Sequence, residues 1–73
     1  MEKEKINSIF TYHVPFGTQG ERYLDIRNAA KIFANLINVA CPESREKSLA
    51  ITAVQQSVMW ANASIAINEE DEG

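Results

Sequence analysis

Two rows of apolar side chains run at helical spacing along the segment from Ser44 to Asn68, and they constrain the fold more than any other feature of the chain. One row contains Leu49, Ala53, Gln56, Trp60, Ala63 and Ile67, and the other contains Ile51, Val54, Val58, Ala61 and Ile65. At about 100° per residue, the two rows lie on nearly opposite sides of one long helix. A single partner helix in the same chain covers only one of them. The sequence therefore predicts that the remaining row is either exposed or in contact with another subunit, and we favour the subunit contact.

The segment from Glu21 to Ala40 is also amphipathic and is predicted to form the partner helix, which is the first helix of the hairpin. Its main stripe contains Tyr23, Ile26, Ala30, Phe33, Ile37 and Ala40, and Ile32, Leu36 and Val39 widen it. Pro42 ends this helix because proline lacks a backbone N–H and clashes with the preceding turn. A turn of only about three residues makes the two helices run antiparallel. The sequence therefore predicts an all-α fold, an antiparallel two-helix hairpin with a short N-terminal arm, assembling into a homo-oligomer.

The segments outside the hairpin are predicted to have little regular structure. Residues 1–8 have mixed charge and residues 69–73 are mostly acidic, and both segments are expected to be disordered. Residues 9–16 contain β-branched and aromatic side chains, but Pro15 removes a backbone donor and disfavours a sheet strand. We interpret them as an arm that lies across the helices. Thr18 and Gln19 are candidate caps for the first helix.

The chain has 73 residues, which allows a single domain, 1–73, of a size at which one core is marginally stable. Cys41 is the only cysteine and His13 the only histidine, so neither a disulfide framework nor a Cys2His2 zinc site is available. No metal or cofactor is expected, and oligomerisation is the predicted source of additional stability. No apolar run approaches the roughly 20 residues of a membrane span, and no signal-peptide core is present. A reduced, cytoplasmic compartment is expected.

The charge of the chain limits the partners that it can bind. The formal net charge of −3 argues against polymeric nucleic acid, because such binding relies on lysine and arginine to neutralise many phosphates. The charge is uneven, however. Residues 69–72 contribute four negative charges, whereas residues 21–47 contain five basic and four acidic side chains. A compact anion could therefore bind locally to an acidic protein.

The start of the second helix is one candidate anion site. Arg45, Lys47 and Ser48 lie in its first turn, where unpaired backbone N–H groups already favour an anion. An arginine binds a phosphate through two parallel hydrogen bonds, and a serine adds a donor. Alternatively, Ser44 caps the helix and Arg45 pairs with surface glutamates. Spacing alone favours this alternative.

A second candidate site combines the first helix with the arm. Arg27 and Lys31 are four residues apart and share one helix face, with Tyr23 one turn earlier. A nucleotide base could stack on the tyrosine while the arginine holds its phosphate, and Tyr12 and His13 could close over such a ligand. The alternatives are a solvated basic stripe that pairs with acidic side chains, and an arm that only seals the end of the hairpin.

Other residues give weaker signals. Trp60 and Met59 fall where core or interface side chains are expected, and Asn62 is a polar residue in an apolar stretch that needs a partner. His13 and Cys41 could suggest a thiol nucleophile, but no residue orients them and no oxyanion donor is evident. A buried structural thiol is the favoured interpretation of Cys41, and no catalytic residue is assigned.

A resemblance to a known family rests on four segments of the chain: TYHVP, ERYLDIRNAAK, CPESREKSLAIT and VMWANASIA. Together they resemble the phage hairpin-domain family of anti-CBASS and anti-Thoeris sponges over residues 10–68. The resemblance implies a helical protomer that forms a homohexamer in the cytoplasm of the infected bacterial host. It also implies a non-enzymatic function, the sequestration of cyclic dinucleotide or cyclic trinucleotide immune messengers without cleavage and without a membrane partner.

The resemblance also implies roles for individual residues. Tyr12 matches an aromatic residue that stacks on a base, Arg27 matches a basic residue that pairs with the ligand phosphate, and Arg45 is assigned to phosphate or ribose contact. Ile67 departs from the pattern, because many relatives carry a basic residue near this position. The complete set of predicted ligand-binding residues is Tyr12, His13, Tyr23, Arg27, Lys31, Arg45 and Ser48.

Two alternative functions remain open. The ligand could be a cyclised ADP-ribose isomer, although relatives specialised for that ligand look longer, which favours cyclic oligonucleotides. A small helical multimer could instead use its uncovered apolar face, or its acidic tail, to bind and inhibit a host protein. Degradation of the messenger is disfavoured because the sequence has no metal-binding or general-base set.

Overall fold

The computed structural model describes residues 2–69, and in this range the chain forms three helices and no strand. They are α1 (Lys3–Phe10), α2 (Gln19–Ala40) and α3 (Arg45–Asn68). α2 and α3 pack against each other in antiparallel directions, since Gln19 at the start of α2 contacts Ile65 near the end of α3. The predicted all-α hairpin is confirmed. No helix in the described range is long and apolar enough to cross a membrane.

Local signals explain where the hairpin helices begin and end. The Ser44 hydroxyl accepts a hydrogen bond from the Lys47 backbone N–H at 3.1 Å, which caps α3 as expected for serine. Pro42 lies in the turn and prevents α2 from continuing. α2 begins at Gln19, slightly before the predicted start. Gly17 precedes it with a φ of 57°, a left-handed conformation that glycine adopts without steric penalty.

The N-terminal segment is more regular than predicted. Disorder is expected for residues 1–8, but a helix covers Lys3–Phe10; the first residue lies outside the described range. Its apolar side chains stay exposed, with Ile6 and Ile9 each at 41% and Phe10 at 84%, and Ile9 borders a cleft that Trp60 and Ile67 of α3 also line. The structure thus has a helix where the sequence predicts little regular structure. The extended arm is correspondingly shorter and spans residues 11–16.

The contact between α2 and α3 is formed by half-buried side chains. The α3 row that contains Ile51 and Val58 is the covered one. The half-buried apolar residues include Ile26, Ala30, Ala34 and Ile37 from α2 and Ile51, Val54, Val58, Ala61 and Ile65 from α3, and Ala63 and Ile67 at the end of the other row are half-buried as well. Among residues 2–69 no apolar side chain is fully buried, and only Gln19 and Lys47 reach that level. One protomer therefore has almost no apolar core.

Large apolar side chains remain exposed on both hairpin helices. On α3, Leu49 is exposed and Trp60 keeps 75% of its surface accessible, so Trp60 is not a core residue of the protomer. The exposed residues of α2 include Ile32, Phe33, Leu36 and Val39. The sequence predicts that Ile32, Leu36 and Val39 widen the apolar stripe that α2 packs against its partner. This prediction is wrong within one chain, because no described element covers that side of the helix.

Candidate ligand-binding cleft

A cleft at the open end of the hairpin brings several predicted ligand-binding residues together. It has a volume of about 370 Å³ and lies between the arm, α2 and α3. This volume falls within the range of roughly 300–1,000 Å³ that is usual for small-molecule sites. The lining residues are Thr11, Tyr12, His13, Pro15, Tyr23, Arg27, Asn62, Ala63 and Ala66. The arm contributes Tyr12 and His13 to this surface, and α2 contributes Tyr23 and Arg27.

The cleft offers aromatic surfaces and a cation. Tyr12 on the arm keeps 82% of its surface exposed, whereas Tyr23 and His13 are half-buried. Arg27 lies one turn along α2 from Tyr23 and makes no ion pair with any residue in the range 2–69. A guanidinium group can hold a phosphate through two parallel hydrogen bonds, and neighbouring aromatic rings can stack on a base. The arrangement is therefore suited to a nucleotide.

Asn62 contributes a buried acceptor to the same cleft. Its side-chain Oδ1 is inaccessible to solvent and accepts no hydrogen bond from the described residues. Buried polar atoms in proteins are nearly always paired. Asn62 is a polar residue in an apolar stretch and needs a hydrogen-bond partner, but no donor for its Oδ1 is found within residues 2–69.

Lys31 does not line this cleft, but it lines a neighbouring one. The second cleft has a volume of about 350 Å³ and is lined by Arg27, Ala30, Lys31, Ala34, Ile51, Val54, Gln55 and Val58. Arg27 borders both clefts. Arg27 and Lys31 of α2 therefore form one strip, and a ligand larger than the first cleft could reach Lys31 by passing Arg27.

The predicted anion site at the start of α3 lies at the other end of the hairpin, next to the turn. Lys47 is only 7% exposed. Its ammonium group donates hydrogen bonds to the Asn38 carbonyl oxygen at 2.9 Å and to a Glu43 carboxylate oxygen at 2.6 Å. Lys47 therefore ties α3 to α2 and to the turn, and Ser44 caps the helix. The Ser44 cap agrees with the structural alternative, and Lys47 uses two of its three ammonium donors within the chain. The ion pair between Arg45 and surface glutamates that the same alternative includes is not found within residues 2–69.

Arg45 and Ser48 are exposed and remote from the cleft. Because an α-helix rises 1.5 Å per residue, Arg45 lies about 26 Å along α3 from Asn62. Arg45 makes no ion pair within the described part of the chain. One protomer thus does not bring Arg45 and Ser48 to Tyr12 and Arg27, and only a second chain could do so.

A polar clamp formed by Gln19, Arg22 and Glu69 closes the open end of the hairpin. Gln19 is 1% exposed. Its Oε1 accepts a hydrogen bond from the Phe16 backbone N–H at 3.2 Å. Its Nε2 donates to the Ile65 carbonyl oxygen at 3.4 Å and to Glu69 at 3.0 Å. One side chain therefore connects the arm, α2 and the end of α3.

The ion pair of the clamp is bidentate. The two terminal nitrogens of Arg22 donate to the two carboxylate oxygens of Glu69 at 2.5 and 2.6 Å. Glu69 thus accepts hydrogen bonds from Gln19 and Arg22, where the sequence predicts disorder for residues 69–73; residues 70–73 lie outside the described range. The hydrogen bonds from Arg22 and Gln19 lower the pKa of Glu69 from 4.5 to about 2. The sequence pattern does not reveal the clamp, because its partners are far apart in the chain.

The clamp predicts a defined acid sensitivity. The pKa of Glu69 is lower in the folded state than in the unfolded state, so its stabilising effect is complete above about pH 4.5 and is lost as the pH falls toward 2. We expect the difference in melting temperature between the wild type and Glu69→Gln to shrink across this window. Circular dichroism melting curves at a series of pH values measure it. A difference that stays constant down to pH 2 would show that the ion pair does not contribute in this way.

The remaining reactive side chains are not assembled into a catalytic site. Cys41 is exposed, not buried as favoured by the sequence, because it follows the last residue of α2 in an uncovered turn. His13 lies in the cleft at the opposite end of the hairpin. Within residues 2–69, no group of three or more histidine, cysteine, aspartate or glutamate residues is placed to hold a metal ion.

Comparison with known proteins identifies a family. A family model described as "Acb2/Tad1, hairpin domain" matches residues 2–66. The matched range contains α1, the arm, α2, most of α3 and every residue that lines the cleft. No curated protein and no solved structure matches the chain.

Proposed function

The chain belongs to the Acb2/Tad1 hairpin-domain family, a phage anti-defence family of cyclic-nucleotide sponges, and we propose that it sequesters cyclic dinucleotide or cyclic trinucleotide immune messengers without cleaving them. We propose further that the cleft between the arm and the hairpin is the ligand site. The observation that carries this proposal is the convergence on one cleft of Tyr12, Tyr23 and Arg27, which makes no ion pair within residues 2–69.

Each group in the cleft suits a different part of a cyclic oligonucleotide. Arg27 would bind a phosphate, and hydrogen bonds to charged groups contribute about 1.5–3 kcal/mol each. Tyr12 and Tyr23 would stack on bases, which contributes about 1–3 kcal/mol per base. Several such contacts together support tight binding, after the entropy that is lost on association is subtracted.

Binding without cleavage is supported by the composition of the cleft. Its nine lining residues include no carboxylate and no thiol. Hydrolysis of a phosphodiester needs an activated nucleophile and stabilisation of the developing charge. The family likewise consists of binding proteins and not of enzymes.

We further propose that the chain assembles into a homohexamer. Assembly would cover the exposed α3 row that contains Leu49 and Trp60. It would also cover a groove of about 650 Å³ between α2 and α3, which is lined almost wholly by apolar side chains such as Phe33 and Val54. A neighbouring chain could at the same time bring its own Arg45 to the cleft. Ligand sites between chains would then combine residues that one protomer keeps apart.

Two alternatives make different predictions. A cyclised ADP-ribose isomer also offers phosphates and an adenine ring, so the same cleft chemistry would suit it. A second candidate function is inhibition of a host protein through the exposed Leu49 and Trp60 row. That function would not depend on Tyr12 or Arg27.

Native mass spectrometry with a panel of cyclic dinucleotides, cyclic trinucleotides and cyclised ADP-ribose isomers tests the proposal. We expect a hexamer of the 8.2 kDa chain that retains ligand at a fixed ratio and releases it unchanged on denaturation. Cleaved ligand would contradict simple sequestration. An oligomer that retains none of the panel would favour the host-protein alternative, and a monomer would contradict the proposed assembly.

A further inference from the structure

We propose that Gln19 is a positioning residue for ligand binding, which holds the arm so that Tyr12 stays at the same cleft as Arg27. This inference rests on the proposed function and deepens it, because it assigns a role in binding to a residue that does not line the cleft. Gln19 is 1% exposed, so its side chain acts on a ligand only through the elements that it joins. Those elements are the arm, α2 and the end of α3.

Two hydrogen bonds tie Gln19 to the last residue of the arm. The Gln19 backbone N–H donates to the Phe16 carbonyl oxygen at 3.0 Å, and the Phe16 backbone N–H donates to Gln19 Oε1 at 3.2 Å. A glutamine accepts from a backbone N–H three residues earlier in the same way in a capping box. Both polar backbone groups of Phe16 are therefore fixed to one side chain and its own backbone.

The residues before Phe16 carry this anchor toward the cleft. Pro15 directly precedes Phe16 and lines the cleft. Proline fixes its own φ at about −65° and restricts the residue before it, here Val14, to extended conformations. The two residues between His13 and Phe16 therefore have few accessible conformations. The placement of Phe16 thus limits where Tyr12 and His13 lie.

The other polar atom of the Gln19 side chain connects the arm to the hairpin. Nε2 donates to the Ile65 carbonyl oxygen at 3.4 Å and to a Glu69 carboxylate oxygen at 3.0 Å, and Glu69 is bound in turn by Arg22. Both ends of one buried amide are thus paired. The arm is held relative to α2 and α3, the two helices that form the rest of the cleft.

Removal of this link is expected to weaken binding without removing any group that contacts the ligand. A released arm lowers the fraction of molecules whose cleft is ready for a ligand, and the apparent affinity falls with that fraction. Gln19→Met removes the side-chain donor and acceptor and keeps a side chain of similar length. We expect it to weaken binding by about 5- to 150-fold, the range that stacking on one base provides, and by no more than Tyr12→Ala does.

Double-mutant cycles measured by isothermal titration calorimetry test the inference. The probe is whichever of cyclic di-AMP, cyclic di-GMP and cyclic tri-AMP binds the wild type most tightly. Because Gln19 acts through the arm, Gln19→Met is expected to reduce the affinity by about 3-fold or less once Tyr12 is already alanine. In an Arg27→Lys background its full effect is expected to remain, since Arg27 lies on α2. Equal losses in the two backgrounds would contradict a role through the arm.

A control variant separates positioning from stability. Ser44→Ala removes the cap of α3 at the opposite end of the hairpin, so it is expected to lower the melting temperature and to leave the affinity unchanged. If circular dichroism shows that Gln19→Met does not fold, Gln19→Asn takes its place in the cycles. Its amide is one methylene shorter and cannot span both the arm and α3.

Several outcomes would overturn the inference. If Gln19→Met binds as tightly as the wild type while Tyr12→Ala binds weakly, the cleft stands as the ligand site and Gln19 has no role in it. A loss of affinity in Ser44→Ala as large as that in Gln19→Met would assign the effect to stability. Failure of both Gln19 variants to fold would make Gln19 a residue of the fold alone. If the wild type binds none of the three probes, the proposed function fails together with the inference.

Discussion

Replacing Tyr12 and Arg27 together with alanine is expected to weaken the binding of a cyclic dinucleotide by about 100- to 10,000-fold. The estimate combines about 1.5–3 kcal/mol for the arginine–phosphate hydrogen bonds with about 1–3 kcal/mol for one stacked base, at about 1.4 kcal/mol per factor of ten. Both residues are exposed and Arg27 has no ion pair within the described range. The fold should therefore be unchanged. Isothermal titration calorimetry measures the loss.

Two control variants isolate the cause of this loss. Lys3→Ala removes one positive charge from the exposed surface of α1, outside the cleft, and is expected to leave the affinity unchanged. Arg27→Lys keeps the charge but loses the bidentate geometry, so it should bind with intermediate affinity. A double variant that binds as tightly as the wild type would rule out the cleft as the ligand site. Loss of binding in Lys3→Ala as well would point to a general effect of net charge.

Replacing Trp60 with glutamate is expected to dissociate the proposed oligomer into single chains of 8.2 kDa. Trp60 is a large apolar side chain on the uncovered row of α3. A tryptophan at the centre of an interface commonly contributes about 2 kcal/mol or more, and an unpaired glutamate buried in its place adds a desolvation penalty of several kcal/mol. The loss repeats at every interface of the assembly. Sedimentation velocity measures the mass, and the melting temperature should fall with it.

Matched substitutions separate assembly from packing within one chain. Trp60→Phe retains an apolar aromatic ring and is expected to keep the oligomer intact. Because Trp60 also lies beside Ile9 of α1, Ile9→Ala tests the alternative that disturbance of α1 alone causes dissociation. If Trp60→Glu sediments at the same mass as the wild type, the Trp60 row is not a subunit contact.

The hairpin could be predicted from the sequence because its determinants are local. Pro42 and Ser44 mark the turn through backbone chemistry that acts within a few residues, and the α3 rows follow directly from helical periodicity. The convergence of Tyr12, Tyr23 and Arg27 could be predicted from the order of the segments in the chain. An arm that precedes α2 must cross the open end of the hairpin, where Tyr23 and Arg27 lie early in the helix.

The remaining features depend on contacts that no local pattern encodes. The clamp joins Gln19 to Glu69 across almost the full length of the chain, and a buried glutamine is recognisable only once its neighbours are placed. α1 forms a helix despite a sequence rich in charge. Val39 is apolar but keeps 80% of its surface exposed, because no element of residues 2–69 covers it. Of these features, only the need of Asn62 for a hydrogen-bond partner could be predicted from the sequence, because it is a polar residue in an apolar stretch.

Residues 2–69 have no buried apolar side chain, and this links the persistence of the fold to the proposed assembly. Only Gln19 and Lys47 are fully buried in the described part of a protomer, and burial of apolar surface is the main force that opposes chain entropy. If subunit contacts supply that burial, folding and assembly become one reaction, governed by mass action. Dilute chains would then unfold and be exposed to proteolysis, whereas concentrated chains would protect one another. The amount of protein present, and not its sequence alone, would set its lifetime.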